Sequence, residues 1–313
     1  LVRGIISDAA GNGDANPLTA ALEIKRSKQV ADFERKKHAK GKMSSKARHG
    51  EGGFSERLPL IQSHAEVSAG KVRKQNEDSV FCLNTLSLAP DLKAAFGLFI
   101  VADGMGGHDN GELASSLAVQ AVSSSLQQQL FTPMQQGHKV PGAEEVEQAV
   151  RAAAQAAQEA VLHGAPGGGT TLSAAVVINN LLCFAHVGDS RIYLYSQKTG
   201  LQALTKDHTI VRRLVDLGQI SAKDAQSNPL RNQLYRAVGQ SEAFRADLGI
   251  RELDAACTLL LCSDGLWGLV SEEFLLKTLE KGQSAQASAR ALVDAANKAG
   301  GTDNISVIIV NIS

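Results

Sequence analysis

The sequence predicts an α+β fold, a four-layer α-β-β-α sandwich of two mostly antiparallel sheets flanked by helices. Two observations predict it. Strand-like runs follow one another at hairpin distance, as in "TTLSAAVVINNLLCFAHVGDSRIYLYS" at residues 170–196, where Asn179-Asn180 is a natural turn. Helical runs come in pairs between groups of strands, which does not fit an alternating βαβ wind.

Residues 1–57 carry poor order signals. "AAGNGDANP" reads as loop, and "KRSKQVADFERKKHAKGKMSSKARHGEGG" is polar and basic, with partial helical periodicity only around Ile24 to Phe33. This stretch is read as a solvated extension or linker. Its aromatic residues are limited to Phe33 and Phe54, so no nucleic-acid contact is expected. From Leu58 the texture changes to β runs separated by helices. "SVFCLN" and "FGLFIVA" read as strands, the second ending at Asp103. "ELASSLAVQAVSSSLQQQL" and "AEEVEQAVRAAAQAAQEAVL" are helical by propensity and by the spacing of Leu, Val and Ala. The three strands of 170–196 follow. "TIVRRLVDLG" reads as a helix closed by Gly218, and "RADLGIREL" and "CTLLLCS" as strands. "SEEFLLKTLE", with a capping-box start at Ser271, and "AQASARALVDAANKAG" are helices. "NISVIIVNI" closes the chain as a strand.

Length and composition set outer bounds. A chain of 313 residues, 43% of them hydrophobic, allows two domains of roughly 150 residues or one large one. The four cysteines, Cys82, Cys183, Cys257 and Cys262, include no C-x-x-C pair and read as unpaired thiols in a reducing compartment. No apolar run reaches the ~18 residues of a membrane span, and no signal-peptide core opens the chain. The expectation is a soluble, cytoplasmic protein. The net charge of zero hides an asymmetry. Residues 1–50 hold 11 basic and 5 acidic residues, which leaves 21 basic and 27 acidic residues for 51–313. A basic segment is thus joined to an acidic body.

The acids of that body recur beside strands. They are Glu77 and Asp78 in "QNEDS", Asp103 in "IVADG", Asp189 in "AHVGDSR", Asp264 in "LLLCSDG" and Asp303 in "GGTDNIS". Any one of them reads as an ordinary turn residue. Together, with small or apolar neighbours, they place carboxylates at the rim of a packed sheet, where they repel one another unless cations neutralise them. No Cys or His lies at ligand spacing, so an all-oxygen cluster suits Mg²⁺ or Mn²⁺ rather than zinc. Gly104, Gly106 and Gly107 after Asp103 would let the backbone approach whatever that acid holds, before Glu112 begins the next helix.

In this order the motifs "GKVRKQNEDS", "VADGMGGHDNGELAS", "GGGTTLSAAVV", "AHVGDSRIYLY", "LTKDHT", "LLLCSDGLW" and "GGTDNISVIIV" resemble the metal-dependent serine/threonine protein phosphatases of the PPM (PP2C) family, bacterial type. The resemblance runs from about Leu60 to Ser313. It implies a catalytic domain over 58–313, with 209–239 as the flap segment of bacterial members. It implies two Mn²⁺ or Mg²⁺ ions with room for a third. Asp103 matches the bridging carboxylate, Asp264 and Asp303 the other ligands of one metal, and Glu77 and the Gly104 carbonyl those of the second. Asp78 would ligate or order metal waters, and Asp189 with Asp264 matches the third site. Asn304 would orient Asp303. Arg73, four residues before Glu77, matches the arginine that grips the substrate phosphate, a role its paired donors and permanent charge suit.

The implied reaction is hydrolysis of phosphoserine and phosphothreonine by in-line attack of a metal-bridging hydroxide, with Asp103 and Arg73 as catalytic residues. The implied partners are phosphorylated proteins made by a serine/threonine kinase, and a monomer is expected. One position departs from animal and plant members, which place a histidine after D-G as leaving-group acid. Here Met105 cannot donate a proton, and His108 is read as a loop-surface residue. Arg212, Arg213, Arg231 and Arg236 of the flap either receive phosphoprotein or form a solvated face. Two alternatives stay open: a regulated signalling module, and a two-metal phosphohydrolase with a non-protein substrate.

Overall fold

Residues buried on both faces of the same strands decide the architecture. The computed structural model describes residues 58–313 apart from 90–91, 107–109, 138, 227, 241–243 and 255. The readings of residues 1–57, Gly107 and His108 lie outside the described residues. A compact unit runs from Glu56 to Ser313.

Its strands are β1 (Ile61–Ser68), β2 (Asp78–Ala89), β3 (Leu92–Met105), β4 (Gly169–Thr170), β5 (Leu172–Ile178), β6 (Leu181–Val187), β7 (Arg191–Ser196), β8 (Gly200–Ala203), β9 (Asp247–Glu252), β10 (Cys257–Cys262) and β11 (Ile305–Ile312). One sheet has the order β1-β11-β10-β7-β8 and the other β2-β3-β5-β6-β9, with β4 paired to β3. Every pairing among them is antiparallel. The helices are α1 (Asn110–Leu126), α2 (Thr132–Gln135), α3 (Ala143–Gly164), α4 (Ile210–Asp216), α5 (Ala222–Gln226), α6 (Asp264–Trp267), α7 (Glu272–Glu280) and α8 (Ala285–Lys298). A short π-helical stretch, Gln127–Phe131, joins α1 to α2. α1 packs on β3 and α3 on β6, while α8 packs on β1 and β11. This is the four-layer sandwich, with helices on both outer faces.

Successive strand residues point to opposite faces, so a strand between two apolar layers has no polar side. Phe99, Val101, Ala175, Val177, Leu259, Leu261, Ile308 and Val310 meet between the sheets. The residues that alternate with them, Leu260, Val307 and Ile309, pack outward on Leu275, Leu279, Leu292 and Val293 of α7 and α8. Each such side chain contributes about 1.5–3 kcal/mol by leaving water, and the runs "CTLLLC" and "ISVIIV" are continuous for that reason.

Several local expectations shift. β1 and β8 carry no clear run in the sequence and form as edge strands, on β11 and β7. β3 does not end at Asp103; it continues to Met105 because β4 pairs with Gly104 and Met105. Ser271 does cap α7 by accepting the Phe274 N–H, but a capping box needs Glu or Gln at that third position, so the cap is a simple serine one. The Asn179-Asn180 turn forms as read, with Asn179 at φ 54°.

This topology gathers the acids. Asp78 and Asp103 are register partners across β2 and β3. Cys262 pairs with both Arg191 and Val307, which brings together the strand ends that precede Asp264 and flank Asp189 and Asp303. Leu260→Ala and Leu261→Ala should each destabilise the fold by about 2–5 kcal/mol. Chemical denaturation checks this: a cost below about 1 kcal/mol at Leu260 would mean its sheet face is not a core.

Candidate metal centre

Two crowded backbone approaches build the rim. The peptide N–H of Gly104 donates to the Glu77 carbonyl at 3.1 Å, and the carbonyls of Glu77 and Gly111 occupy the space a Gly104 side chain would need. That is why the acid of β3 is followed by a residue with no side chain. Opposite it, the segment from Ala69 to Glu77 docks on residues 300–304. Gly70, at φ +75°, lies where any Cβ would strike the Asp303 carbonyl, and Lys71 N–H donates to the Gly301 carbonyl at 2.7 Å.

Asn304 fastens that segment. Its Oδ1 accepts the Glu77 N–H at 2.9 Å, and its Nδ2 donates to the carbonyls of Gln75 at 2.9 Å and Ala69 at 3.2 Å. The sequence reading had Asn304 orienting Asp303. Its backbone does so, donating to Asp303 Oδ1 at 2.9 Å, while its side chain holds the loop of Arg73 and Glu77. Arg73 Nη2 reaches across and donates to Asp303 Oδ2 at 2.8 Å. Thr171 holds Asp103 by its backbone N–H. Trp267 donates its indole N–H to the Asp189 carbonyl at 2.9 Å, and its ring lies 3.7 Å under the Arg191 guanidinium. That guanidinium makes a bidentate pair with Asp207 at 2.9 and 2.8 Å.

The carboxyl groups so placed disturb one another. Burial pushes Asp78 up to about 7, against the help of its serine neighbours, and Asp264 and Asp303 push it further. Burial raises Asp264 to about 6, with Asp303 adding to it. Asp103 stands well above the usual carboxylate range through burial and then the charges of Asp78, Asp264, Asp189 and Asp303. Asp189 is likewise raised by burial and by Asp264 and Asp207. Asp103 and Asp264 lie close enough for each to act on the other's ionisation, so in the absence of a cation the two carboxylates repel one another.

These residues fit a hard divalent cation. The donor set is all oxygen. Ser263 Oγ donates to Asp78 Oδ2 at 2.9 Å, whereas the buried Asp78 Oδ1 makes no full hydrogen bond and has beside it only Ser306, whose buried Oγ is likewise unpaired. A buried carboxylate oxygen without a full hydrogen bond, repelled by Asp264 and Asp303, is stabilised by a positive group. Among the described residues no group of three or more Asp, Glu, His or Cys side chains is arranged to hold a metal ion as the side chains stand. The acids act on one another across the rim.

A ring of half-buried carboxylates at one edge of a two-sheet sandwich defines a metal-binding class of protein, and comparison with known proteins says which. The sequence profile of the family described as Protein phosphatase 2C matches residues 87–299. The serine/threonine phosphatase stp of Listeria monocytogenes is 36% identical over 257 residues, spanning 79% of this chain and 95% of that protein. The serine/threonine protein phosphatase PstP of Mycobacterium tuberculosis is 37% identical over 262 residues, 82% of this chain but 46% of the longer relative. The crystal structure of the PstP catalytic domain with two manganese ions superposes with a TM-score of 0.67 at 32% identity, covering 81% of this chain and 99% of that one. The chain belongs to the protein phosphatase 2C family of metal-dependent serine/threonine protein phosphatases, bacterial type.

Outside the rim, three of the four flap arginines are held in place. Arg236 donates to Asp247 at 2.9 Å, Arg212 lies 3.3 Å from Asp216, and Arg213 lies over Tyr235. Their sequence reading as phosphoprotein receivers gains nothing from this. Thr170, Thr171, Trp267, Arg191 and His208 were not read as site residues. Each sits inside a motif that carries the family resemblance, but as an uncharged or locally paired residue, with no chemistry of its own to mark it.

Two buried histidines tie the base of the flap to the sheet. His208 Nδ1 accepts the Gly188 N–H at 3.1 Å, so its proton is on Nε2, 3.2 Å from Asp247 Oδ2. His186 Nε2 faces the Lys206 carbonyl at 3.2 Å and must donate, leaving Nδ1 to accept from Ser173 Oγ at 3.0 Å. Burial, then His208, lowers His186 to about 3. The unfolded chain protonates this group near 6.5 and the folded chain near 3, so the unfolded state binds more protons between those values. Stability contributed by neutral His186 is therefore present above about 6.5 and lost as pH falls toward 3. His186→Gln should lose less unfolding temperature than wild type between pH 7 and pH 4; identical slopes would show that His186 does not titrate on unfolding.

Proposed function

We propose that this protein removes phosphate from phosphoserine and phosphothreonine in proteins, using two Mn²⁺ or Mg²⁺ ions held by Glu77, Asp78, Asp103, the Gly104 carbonyl, Asp264 and Asp303. A third site is assigned to Asp189 with Asp264. One observation carries the reading: Arg73, a fork of phosphate donors, pairs with Asp303 and feels Glu77 and Asp103, beside acids that no phosphate could approach unless cations covered them. When bound, the cations supply an acidified water as nucleophile and neutralise the phosphate oxygens. Asp103, which feels the charges of Asp78, Asp264, Asp189 and Asp303, would hold the cations together with those acids. Arg73 is half-exposed and keeps its charge, its own pKa raised by Asp303. It binds and orients the phosphoryl oxygens. Met105 offers no proton, so the departing serine or threonine oxygen takes one from water, including water bound to a cation, or from another group.

The catalytic domain is assigned to residues 58–313, with 209–239 as the flap and 1–57 as an extension. The substrates are products of a serine/threonine kinase, met by a monomer. Among the described residues no helix is long and apolar enough to cross a membrane, and the four cysteines form no disulfide. Those thiols support a cytoplasmic setting.

Phosphate release from a phosphothreonine peptide should rise with added Mn²⁺ and stop with EDTA. Asp103→Asn should lower turnover by more than about 100-fold, beyond what losing a merely supporting residue costs. Arg73→Ala should lower kcat/KM by about 10²–10³-fold. Release of phosphate from nucleotides but from no phosphopeptide would replace the protein substrate by a small one, and normal rates without metal would end the metal reading.

A further inference from the structure

We propose that Thr171 is a positioning residue for the metal centre, its buried hydroxyl fixing Asp103 and tying it to the turn that carries Asp189. The proposal rests on the assignment of Asp103 and Asp189 as metal ligands. It starts from an irregularity in the β3 ladder. β3 pairs with β5 through Val101 and Ser173, and with β4 through Gly104 and Thr170. The same register would pair Ala102 with Leu172 and Asp103 with Thr171, yet the ladder is interrupted at these two rungs.

In a hydrogen-bonded antiparallel rung the two residues exchange both N–H to carbonyl bonds. Here half of the exchange is made: Thr171 N–H donates to the Asp103 carbonyl at 2.9 Å. In the other half a side chain has replaced the main chain, and Asp103 N–H donates to Thr171 Oγ1 at 2.9 Å. The displaced Thr171 carbonyl takes a hydrogen bond from Thr170 Oγ1 at 3.0 Å, and that hydroxyl also lies 2.9 Å from the Asp103 carbonyl. Both polar groups of the Asp103 backbone are therefore held by two adjacent threonines.

The substitution of hydroxyl for carbonyl leaves capacity over. A hydroxyl has one proton and two lone pairs, so Thr171 Oγ1, with one lone pair on Asp103, still has a proton and a lone pair. Ser190 Oγ takes it up at 2.7 Å. Ser190 follows Asp189, and its carbonyl lies 3.2 Å from Ser173 Oγ. The methyl of Thr171 is committed to the same turn: a side chain on Gly188, at φ +101°, would come within 2.6 Å of Thr171 Cγ2. One residue, 1% exposed, thus holds Asp103 by two hydrogen bonds and the 188–190 turn by a hydrogen bond and a packing contact. The link between the two acids is made of neutral groups, and moving either acid disturbs the other through it.

The test uses the full chain and Mn²⁺ binding measured by titration calorimetry without substrate, with the unfolding temperature in EDTA as fold control. Thr171→Val keeps the shape and removes the hydroxyl; Thr171→Ser keeps the hydroxyl and removes the methyl. Thr171→Val should bind Mn²⁺ about 10–100-fold more weakly than wild type, and Thr171→Ser should restore wild-type affinity. Wild-type affinity in Thr171→Val overturns the proposal, and so does a loss in Thr171→Ser as large as in Thr171→Val, which would assign the effect to the methyl. If Thr171→Val does not fold, Ser190→Ala is the second variant. It should weaken Mn²⁺ binding, and unchanged binding removes the tie between the two acids. A wild-type protein that binds no Mn²⁺ sinks the metal reading itself, and the proposal falls with it.

Discussion

Mutual repulsion among carboxylates held in a half-buried rim is the constraint around which this molecule is arranged. Asp78, Asp103, Asp189 and Asp264 are all pushed upward by desolvation and by one another. Left to itself such a cluster would splay apart. It stays together because the acids are not on one flexible loop. They hang from the ends of β2, β3, β10 and β11 and from the turn between β6 and β7, and the registers of two sheets fix those ends. The sheets are in turn fixed by apolar contacts on both faces. Stability thus flows from the core toward the rim, and the rim works against it.

The groups that aim the acids are almost all uncharged. Thr170 and Thr171 hold Asp103, Asn304 holds the loop of Arg73 and Glu77, and the Trp267 indole holds the Asp189 carbonyl. Physical reason favours neutral donors here. Another anion would add to the repulsion, and a lysine or arginine packed among the acids would compete with cations for them. The charged pairs lie one layer out, where Arg191 joins Asp207 and Arg236 joins Asp247. Arg73 is the exception that faces the rim, and it is the residue assigned to the substrate.

A family relationship fixes what kind of protein this is, but these supports are visible only in the folded chain. The PstP catalytic domain shares the fold at 32% identity and carries two manganese ions. In the present chain a fit to cations can be argued from its own residues: a buried Asp78 oxygen without a full hydrogen bond, carboxyls raised by burial and by one another, and a donor set without nitrogen or sulfur.

By itself the sequence determined the fold class and most strand and helix identities, and it singled out the acids proposed as ligands, whereas Arg73 was marked only by the family resemblance. It could do so because strand runs buried on both faces are continuous and apolar, and because an acid beside such a run stands out. It missed β1 and β8, edge strands that are buried on too little of their surface to show a pattern. It ended β3 two residues early, since the pairing that extends it comes from Gly169 and Thr170, more than sixty positions away. Only the tertiary structure decided the work of Thr171, Asn304 and Trp267. A neutral side chain has no role until its partners are known, and these partners lie on segments that the two sheets bring together only after folding.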